Sequence, residues 1–177
     1  MPSTAPNFGL RPMLPADVPA LRDIFSASVE GLTGDDYSVE QQEAWLTAVS
    51  DEAAFGERLA GELVLVATLD GAPVGFASLR GNNEIDFLYV HPAVARQGAA
   101  TKLVDALEKL AGARGATTLT TDASDTAREF FNARGYVAQH RNTVLLGDEW
   151  LSNTTMTKGL APAEGAGAAN ENRKQEP

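Results

Sequence analysis

Along the chain, apolar positions recur with two different periods, and each change of period marks an element. Leu63-Val64-Leu65-Val66-Ala67 is a continuous apolar run of strand length, and Asp70-Gly71 after it is a hairpin signal leading to a second strand over Val74–Leu79. Gly81-Asn82-Asn83 then turns the chain into a third strand carrying Ile85, Phe87, Leu88, Tyr89 and Val90, which stops at His91-Pro92. Beyond a short loop of small residues, Ala99, Leu103, Val104, Leu107, Leu110 and Ala111 follow at three- and four-residue spacing, the stripe of an amphipathic helix that ends near Gly112–Gly115.

The flanks read in the same way. Leu10–Leu14 is a short first strand, confined to an edge or end by Pro12. Asp17 is placed to cap a helix with Pro19 in its first turn and Val18, Leu21, Ile24, Phe25 and Ser28 on one face, broken by the stretch from Glu30 to Asp36. Ser38-x-x-Gln41 has the form of a capping box, opening a helix whose apolar face is Ala44, Trp45, Ala48 and Val49, and another turn or two covers Glu52–Leu59. Thr117–Thr121 is a β-prone run. Ser124 is placed to cap a helix that buries Ala127, Phe130 and Phe131 and stops at Arg134-Gly135. Tyr136–Leu146 and Trp150–Lys158 form a last hairpin about Gly147-Asp148. From Ala161 the composition turns to Ala, Gly, Asn, Glu and Pro without periodicity, so a single domain over residues 1–160 with a disordered tail over 161–177 is expected.

Composition narrows the chemistry. The chain of 177 residues has no cysteine, which excludes disulfides, thiolate metal ligands and a cysteine nucleophile, and its two histidines, His91 and His140, argue against a His-rich metal site. The net charge of −10 argues against a nucleic-acid partner. Residues 11–62 hold eleven acids against three bases, a lobe that would steer a cationic partner inward or simply keep the surface solvated. No apolar run approaches the roughly twenty residues a membrane span needs, and the N-terminus lacks a basic patch followed by a hydrophobic region, so a cytoplasmic protein without membrane attachment is expected.

Chemistry concentrates between Glu84 and Ala111, where a buried strand feeds the N-terminus of a helix. Such a terminus presents backbone N–H groups without intrahelical partners and about half a positive charge, which suits a phosphate or pyrophosphate. Gly98, Ala99 and Ala100 remove side-chain bulk there, and Arg96 and Thr101 add donors.

Here the chain resembles the GCN5-related N-acetyltransferases (GNAT). Leu88-Tyr89-Val90-His91-Pro92 matches the family's L-x-V-x-P strand end, and Ala95-Arg96-Gln97-Gly98-Ala99-Ala100 its [QR]-x-x-G-x-[GA] loop, with Ala95 where the family favours Gln or Arg. Ala123-Ser124-x-x-Ala127-x-x-Phe130-Phe131-x-x-x-Gly135-Tyr136 looks like the N-x-x-A-x-x-x-Y-x-x-x-G-F segment, with Ser124 in place of a cofactor-binding Asn and Phe131 in place of the Tyr that often protonates the thiolate. Together with Tyr37-Ser38-x-x-Gln41-x-x-x-Trp45, the pattern is similar to the YafP-like branch.

The resemblance implies an α+β acyl-CoA N-acyltransferase fold, a central, mostly antiparallel mixed sheet with helices on both faces. It implies acetyl-CoA as acyl donor, direct transfer to a primary amine of a small molecule or peptide, and a homodimer as one option. Leu88, Tyr89 and Val90 would line the pantetheine arm. Arg96, Gln97, Gly98, Ala99, Ala100 and Thr101 would hold the pyrophosphate, and Ser124 and Phe131 would complete the donor site. For the base that strips the acceptor's ammonium, Glu84 and Asp86 share one strand face, with Asp86 favoured because it lies deeper in the strand. Tyr89 points to the other face unless a bulge intervenes, and with Tyr136, water and the amine itself it is a candidate to protonate the thiolate. The departures at Ala95, Ser124 and Phe131 leave two alternatives open: a non-catalytic acyl-CoA-binding module, and an interaction domain with a vestigial pocket.

Overall fold

In the computed structural model, which describes residues 4–161, a single seven-stranded sheet runs in the order β1-β2-β3-β4-β5-β7-β6. The strands are β1 (Gly9–Pro12), β2 (Leu63–Leu69), β3 (Ala72–Arg80), β4 (Glu84–Val90), β5 (Thr118–Ser124), β6 (Val137–Leu146) and β7 (Glu149–Gly159). The helices are α1 (Val18–Leu32), α2 (Val39–Leu46), α3 (Glu52–Ala60), α4 (Ala99–Ala113) and α5 (Arg128–Ala133). Every neighbouring pair is antiparallel except β4 and β5, so the sheet is mixed and mostly antiparallel, as expected. Residues 162–177, nearly all of the expected tail, lie outside the described residues.

The apolar run in β2 is continuous because both faces of the sheet are covered. Val64 and Val66 face Leu21, Phe25 and Val29 of α1 and Phe55 and Leu59 of α3. Leu65 and Ala67 face Leu103, Val104, Leu107 and Ala111 of α4, with Leu119, Phe131 and Met156 in the same cluster. Burying a side chain such as Phe25 or Leu107 contributes about 1.5–3 kcal/mol, which makes these two layers the main support of the fold. Asp70 and Gly71, both at positive φ, close the first hairpin as the sequence predicts.

Several boundaries differ from the expectation, each for a local reason. The first strand is Gly9–Pro12, ending at the residue that cannot donate to a ladder, and it lies at the sheet edge. Asp17 makes no cap to α1. Its carboxylate accepts from the Leu14 N–H at 2.7 Å and from both Arg11 terminal nitrogens at 2.7 and 2.8 Å, closing the turn before the helix. Glu30 and Gly31 do not break α1, which continues to Leu32. Ala48 is exposed because α2 gives way to a tighter turn at Thr47, and Leu110 stands at the margin of its stripe, partly in solvent. Ser124 closes β5 instead of capping α5: its hydroxyl accepts from the Ala127 N–H at 3.1 Å in the turn between them. The Ser38–Gln41 capping box forms as read.

Candidate functional site

The site follows from how β4 loses its partners. It pairs with β5 only at Glu84–Thr120 and Ile85–Thr121, after which the two strands part. From Asp86 to Val90, the edge of β4 turned towards β5 therefore has no strand against it. Unpaired strand edges add an extended ligand readily. On its other edge, β4 is irregular. Ala77 pairs with Leu88 but Leu79 with Ile85, so Asp86 and Phe87 together stand opposite Ser78. The Ser78 hydroxyl accepts from the Phe87 N–H at 3.1 Å and covers the irregularity.

This bulge decides a question that alternation left conditional. Phe87 and Tyr89 pack with Phe25 and Phe76 on the α1–α3 side, and Asp86 meets Arg58 of α3 on that side too. Ile85 and Leu88 face the α4 side. Asp86 and Tyr89, which strict alternation would separate, thus share a face.

Between the parted strands lies a cavity of about 810 Å³. Its lining includes Leu88, Tyr89 and Val90 of β4, Arg96, Gly98, Ala99, Ala100 and Thr101 at the start of α4, and Ser124 and Phe131 beyond β5. Asp86 lines it as well. Two residues singled out in the sequence lie elsewhere. Glu84 sits before the strands part, its carboxylate accepting from Arg80 at 2.6 Å, and Gln97 turns back to donate to the Ala93 carbonyl at 3.3 Å.

The loop into α4 has the character of an anion cradle. Arg96 and Gly98 take positive φ, 60° and 99°, and among the described residues the N–H groups of Arg96, Gln97 and Gly98 have no protein acceptor. With the first N–H groups of α4 they form a concave set of donors. A Cβ built on Gly98 would meet nothing within 4 Å, so its bare face opens onto free space. The residues present therefore fit a pyrophosphate even with Ala95 in the first motif position. Gly31 of α1 supports the loop from behind, where an added Cβ would come within 2.6 Å of the Pro92 ring.

Part of the lining is aromatic. Tyr37 and Trp45 meet edge to face at 5.2 Å between ring centroids, and Trp45 stands 6.4 Å from Tyr89. The Tyr37 hydroxyl is fully used, donating to the Ser152 carbonyl at 2.7 Å and accepting from the Asp125 N–H at 2.9 Å. It straps the segment between α1 and α2 to β7 and to the end of β5. Burial pushes the Tyr89 hydroxyl well above the ordinary phenol range, so it stays protonated at neutral pH. Tyr136 turns away, its hydroxyl donating to Glu108 at 3.1 Å, and it is absent from the cavity lining. His91 is an exposed loop residue whose Nδ1 accepts from the Ala93 N–H.

Sequence reading missed much of the wall: Ser28, Leu32 and Thr33 of α1 and its end, and Leu146, Leu151 and Asn153 of the last hairpin. Their side chains are ordinary for a helix face and a strand, and nothing local marks them. Glu62 was also missed. It lies between α3 and β2 with its side chain 4 % exposed, against the Asp86 carboxylate.

Comparison with known proteins agrees with this geometry. Residues 33–160 match the family described as the acetyltransferase (GNAT) domain. The chain is 35% identical over 150 residues to the uncharacterized N-acetyltransferase YafP of Escherichia coli (strain K12), covering 85% of this chain and 95% of that one. It is 61% identical to the crystal structure of the GCN5-related N-acetyltransferase "Aminotransferase, Class-II" from Rhodopseudomonas palustris, with a TM-score of 0.86 over 90% of this chain and 99% of the other. The PaiA N-acetyltransferase of Thermoplasma acidophilum, solved in complex with coenzyme A, shares the fold at 18% identity, with a TM-score of 0.72 over 86% of this chain and 99% of that one. A cradle of free N–H groups, an unpaired strand edge and a matched domain covering most of the chain lead to one assignment: the protein belongs to the GCN5-related N-acetyltransferases, acetyl-CoA-dependent enzymes, and is similar within them to YafP.

Proposed function

We propose that the protein transfers the acetyl group of acetyl-CoA directly to a cationic primary amine, with Asp86 taking the amine's proton. The observation that carries this reading is the placement of Asp86 and Tyr89 on one face of β4, beside an open strand edge that leads to the donor loop. The pyrophosphate rests on the N–H groups of residues 96–100, with Arg96 and Thr101 beside it. The pantetheine arm runs along Leu88–Val90 like an added strand, and Ser124 and Phe131 close its far side. A backbone N–H of that edge polarises the thioester carbonyl, which can lower the barrier by a few kcal/mol.

An alkylammonium must lose a proton before it can attack. Asp86 removes it, the amine nitrogen bonds to the acetyl carbon, and the C–S bond breaks. Tyr89 gives the departing thiolate a proton and recovers one from the second N–H of the amine through water, so the net reaction releases one proton. Phe131 has no proton to give. Tyr37 and Trp45 form the wall for the acceptor's carbon skeleton, and the acidic segment over residues 11–62 favours a cation's approach.

The test is thiol release from acetyl-CoA across polyamines, amino acids, aminoglycosides and lysine peptides. Acceptor-dependent turnover is expected with one class. Asp86→Asn should lower the rate at neutral pH by about 10²–10³-fold, with partial recovery at high pH where the amine deprotonates itself. Glu84→Gln, outside the cavity, should stay within about twofold of the parent, and a loss equal to that of Asp86→Asn would transfer the base role to Glu84. Clear acetyl-CoA binding without turnover on any acceptor would instead support a binding module.

A further inference from the structure

Glu62 is a carboxylate where burial alone would forbid one. It follows Gly61, the turn residue after α3, and precedes Leu63, whose pairing with Leu79 sets it beside Ser78 and Arg80 of β3 and the bulge of β4. Its Oε2 is buried and has no hydrogen-bond partner, while Oε1 is 4.0 Å from the Arg58 guanidinium. Against it lies a second carboxylate, that of Asp86, whose side chain is 9 % exposed. Asp86 is well supplied with donors, from Arg58 at 2.7 and 2.9 Å and from Arg80 at 3.5 Å. A buried carboxylate oxygen without a donor, facing another carboxylate, is costly unless a proton sits between them.

We propose that Glu62 and Asp86 form a carboxyl pair that is free of the shared proton in the active form and takes up one during the reaction, Glu62 holding the proton that Asp86 takes from the acceptor's ammonium. This rests on the acetyl-transfer reading above. Asp86 touches the cavity, whereas Glu62 does not line it, so Glu62 is a positioning residue that acts through Asp86. The proton leaves the ammonium nitrogen for an Asp86 oxygen and passes to Glu62 Oε2, which needs it. The Asp86 oxygens then remain bonded to Arg58, and the proton returns to solvent after the product leaves.

Among the described residues the charged groups facing the pair are Arg58 of α3 and Arg80 of β3, which is shared with Glu84, and the Tyr89 hydroxyl stands near Asp86 on β4. The Ser78 hydroxyl completes the surroundings of Glu62. Burial, reinforced by the neighbouring Asp86, pushes the Glu62 carboxyl up to about 7, where it can exchange a proton at neutral pH.

The first test needs no substrate. Carbon-13 NMR of the side-chain carboxyls in the parent protein, with the Glu62 resonance assigned by its loss in Glu62→Gln, should show that carboxyl titrating near pH 7. In Asp86→Asn its midpoint should fall towards the ordinary glutamate range. A Glu62 carboxyl that titrates with the exposed glutamates overturns the pair. The second test is the pH profile of kcat/KM for thiol release. The parent should lose activity below about pH 7, and Glu62→Gln should be at least about tenfold slower at pH 7 and lack that limb, with Glu62→Asp restoring part of both. An unchanged rate and limb in Glu62→Gln overturns the relay and leaves acetyl transfer standing. Absence of turnover in the parent on every acceptor overturns the acetyl-transfer reading, and the relay with it.

Discussion

At the scale of single residues, the site depends on which side chains β4 turns towards the cavity. Tyr89 packs among Phe25, Phe76 and Trp45, and its ring is held whether or not the hydroxyl is present. Tyr89→Phe therefore tests proton delivery to the thiolate with little structural change. We expect kcat to fall on the order of tenfold or more, with the KM for acetyl-CoA and the melting temperature nearly unchanged, and a kcat equal to the parent's would assign that proton to water. Tyr136 and Glu84, also candidates from their residue types, lie outside the cavity lining, the Tyr136 hydroxyl bonded to Glu108 and the Glu84 carboxylate to Arg80. Residue type was legible in the sequence. The bulge at Asp86-Phe87 was not, because it depends on pairing β4 with Ser78 of a neighbouring strand.

At the scale of elements, the loop from Pro92 to Gly98 is fixed from both ends: α1 presses on it through Gly31, and α4 begins directly after it. Gly98 at φ 99° has a conformation that an L side chain adopts only with strain of about 1–2 kcal/mol. Gly98→Ala should therefore lower the unfolding free energy by about that amount, and the added methyl should weaken acetyl-CoA binding on the order of tenfold by titration calorimetry. Loss of stability with unchanged affinity would remove this loop from the donor site. The helix of α4 and the hairpins of β2–β3 and β6–β7 were legible from periodicity and turn residues alone, since both signals are local. Element ends were less so. Asp17 shows why: a carboxylate before a helix reads as a cap, yet here Arg11, six residues earlier, gives it a stronger partner.

At the scale of the whole molecule, two carboxyls give stability opposite dependences on pH. Hydrogen bonding from Arg11 holds the Asp17 carboxyl below its ordinary range. A folded value below the unfolded one, near 3.8, means that Asp17 contributes stability above about pH 4, lost as pH falls further. Asp17→Asn should thus cost about 1–3 kcal/mol at neutral pH and make acid unfolding shallower. For Glu62 the folded value lies above the unfolded one, so its contribution is present below about pH 4.5 and is lost as pH rises through about 7. Melting temperature should therefore decline from about pH 5 to pH 8 in the parent, and less steeply in Glu62→Gln. Ligand linkage adds a further measurement: acetyl-CoA at a hundred times its dissociation constant should stabilise the fold by about 2.7 kcal/mol, and no shift at saturation would argue for a vestigial pocket. Among the described residues no helix is long and apolar enough to cross a membrane. The sequence by itself determined most of the elements, the continuous apolar run of β2 and the small-residue loop before α4, because periodicity, turn chemistry and helix starts are written in neighbouring residues. Only the tertiary structure decided where β4 and β5 part, that Asp86 and Tyr89 share a face, and that Glu62 lies buried against Asp86. Those facts arise from strand register and from contacts between segments far apart in the chain, which no local pattern encodes.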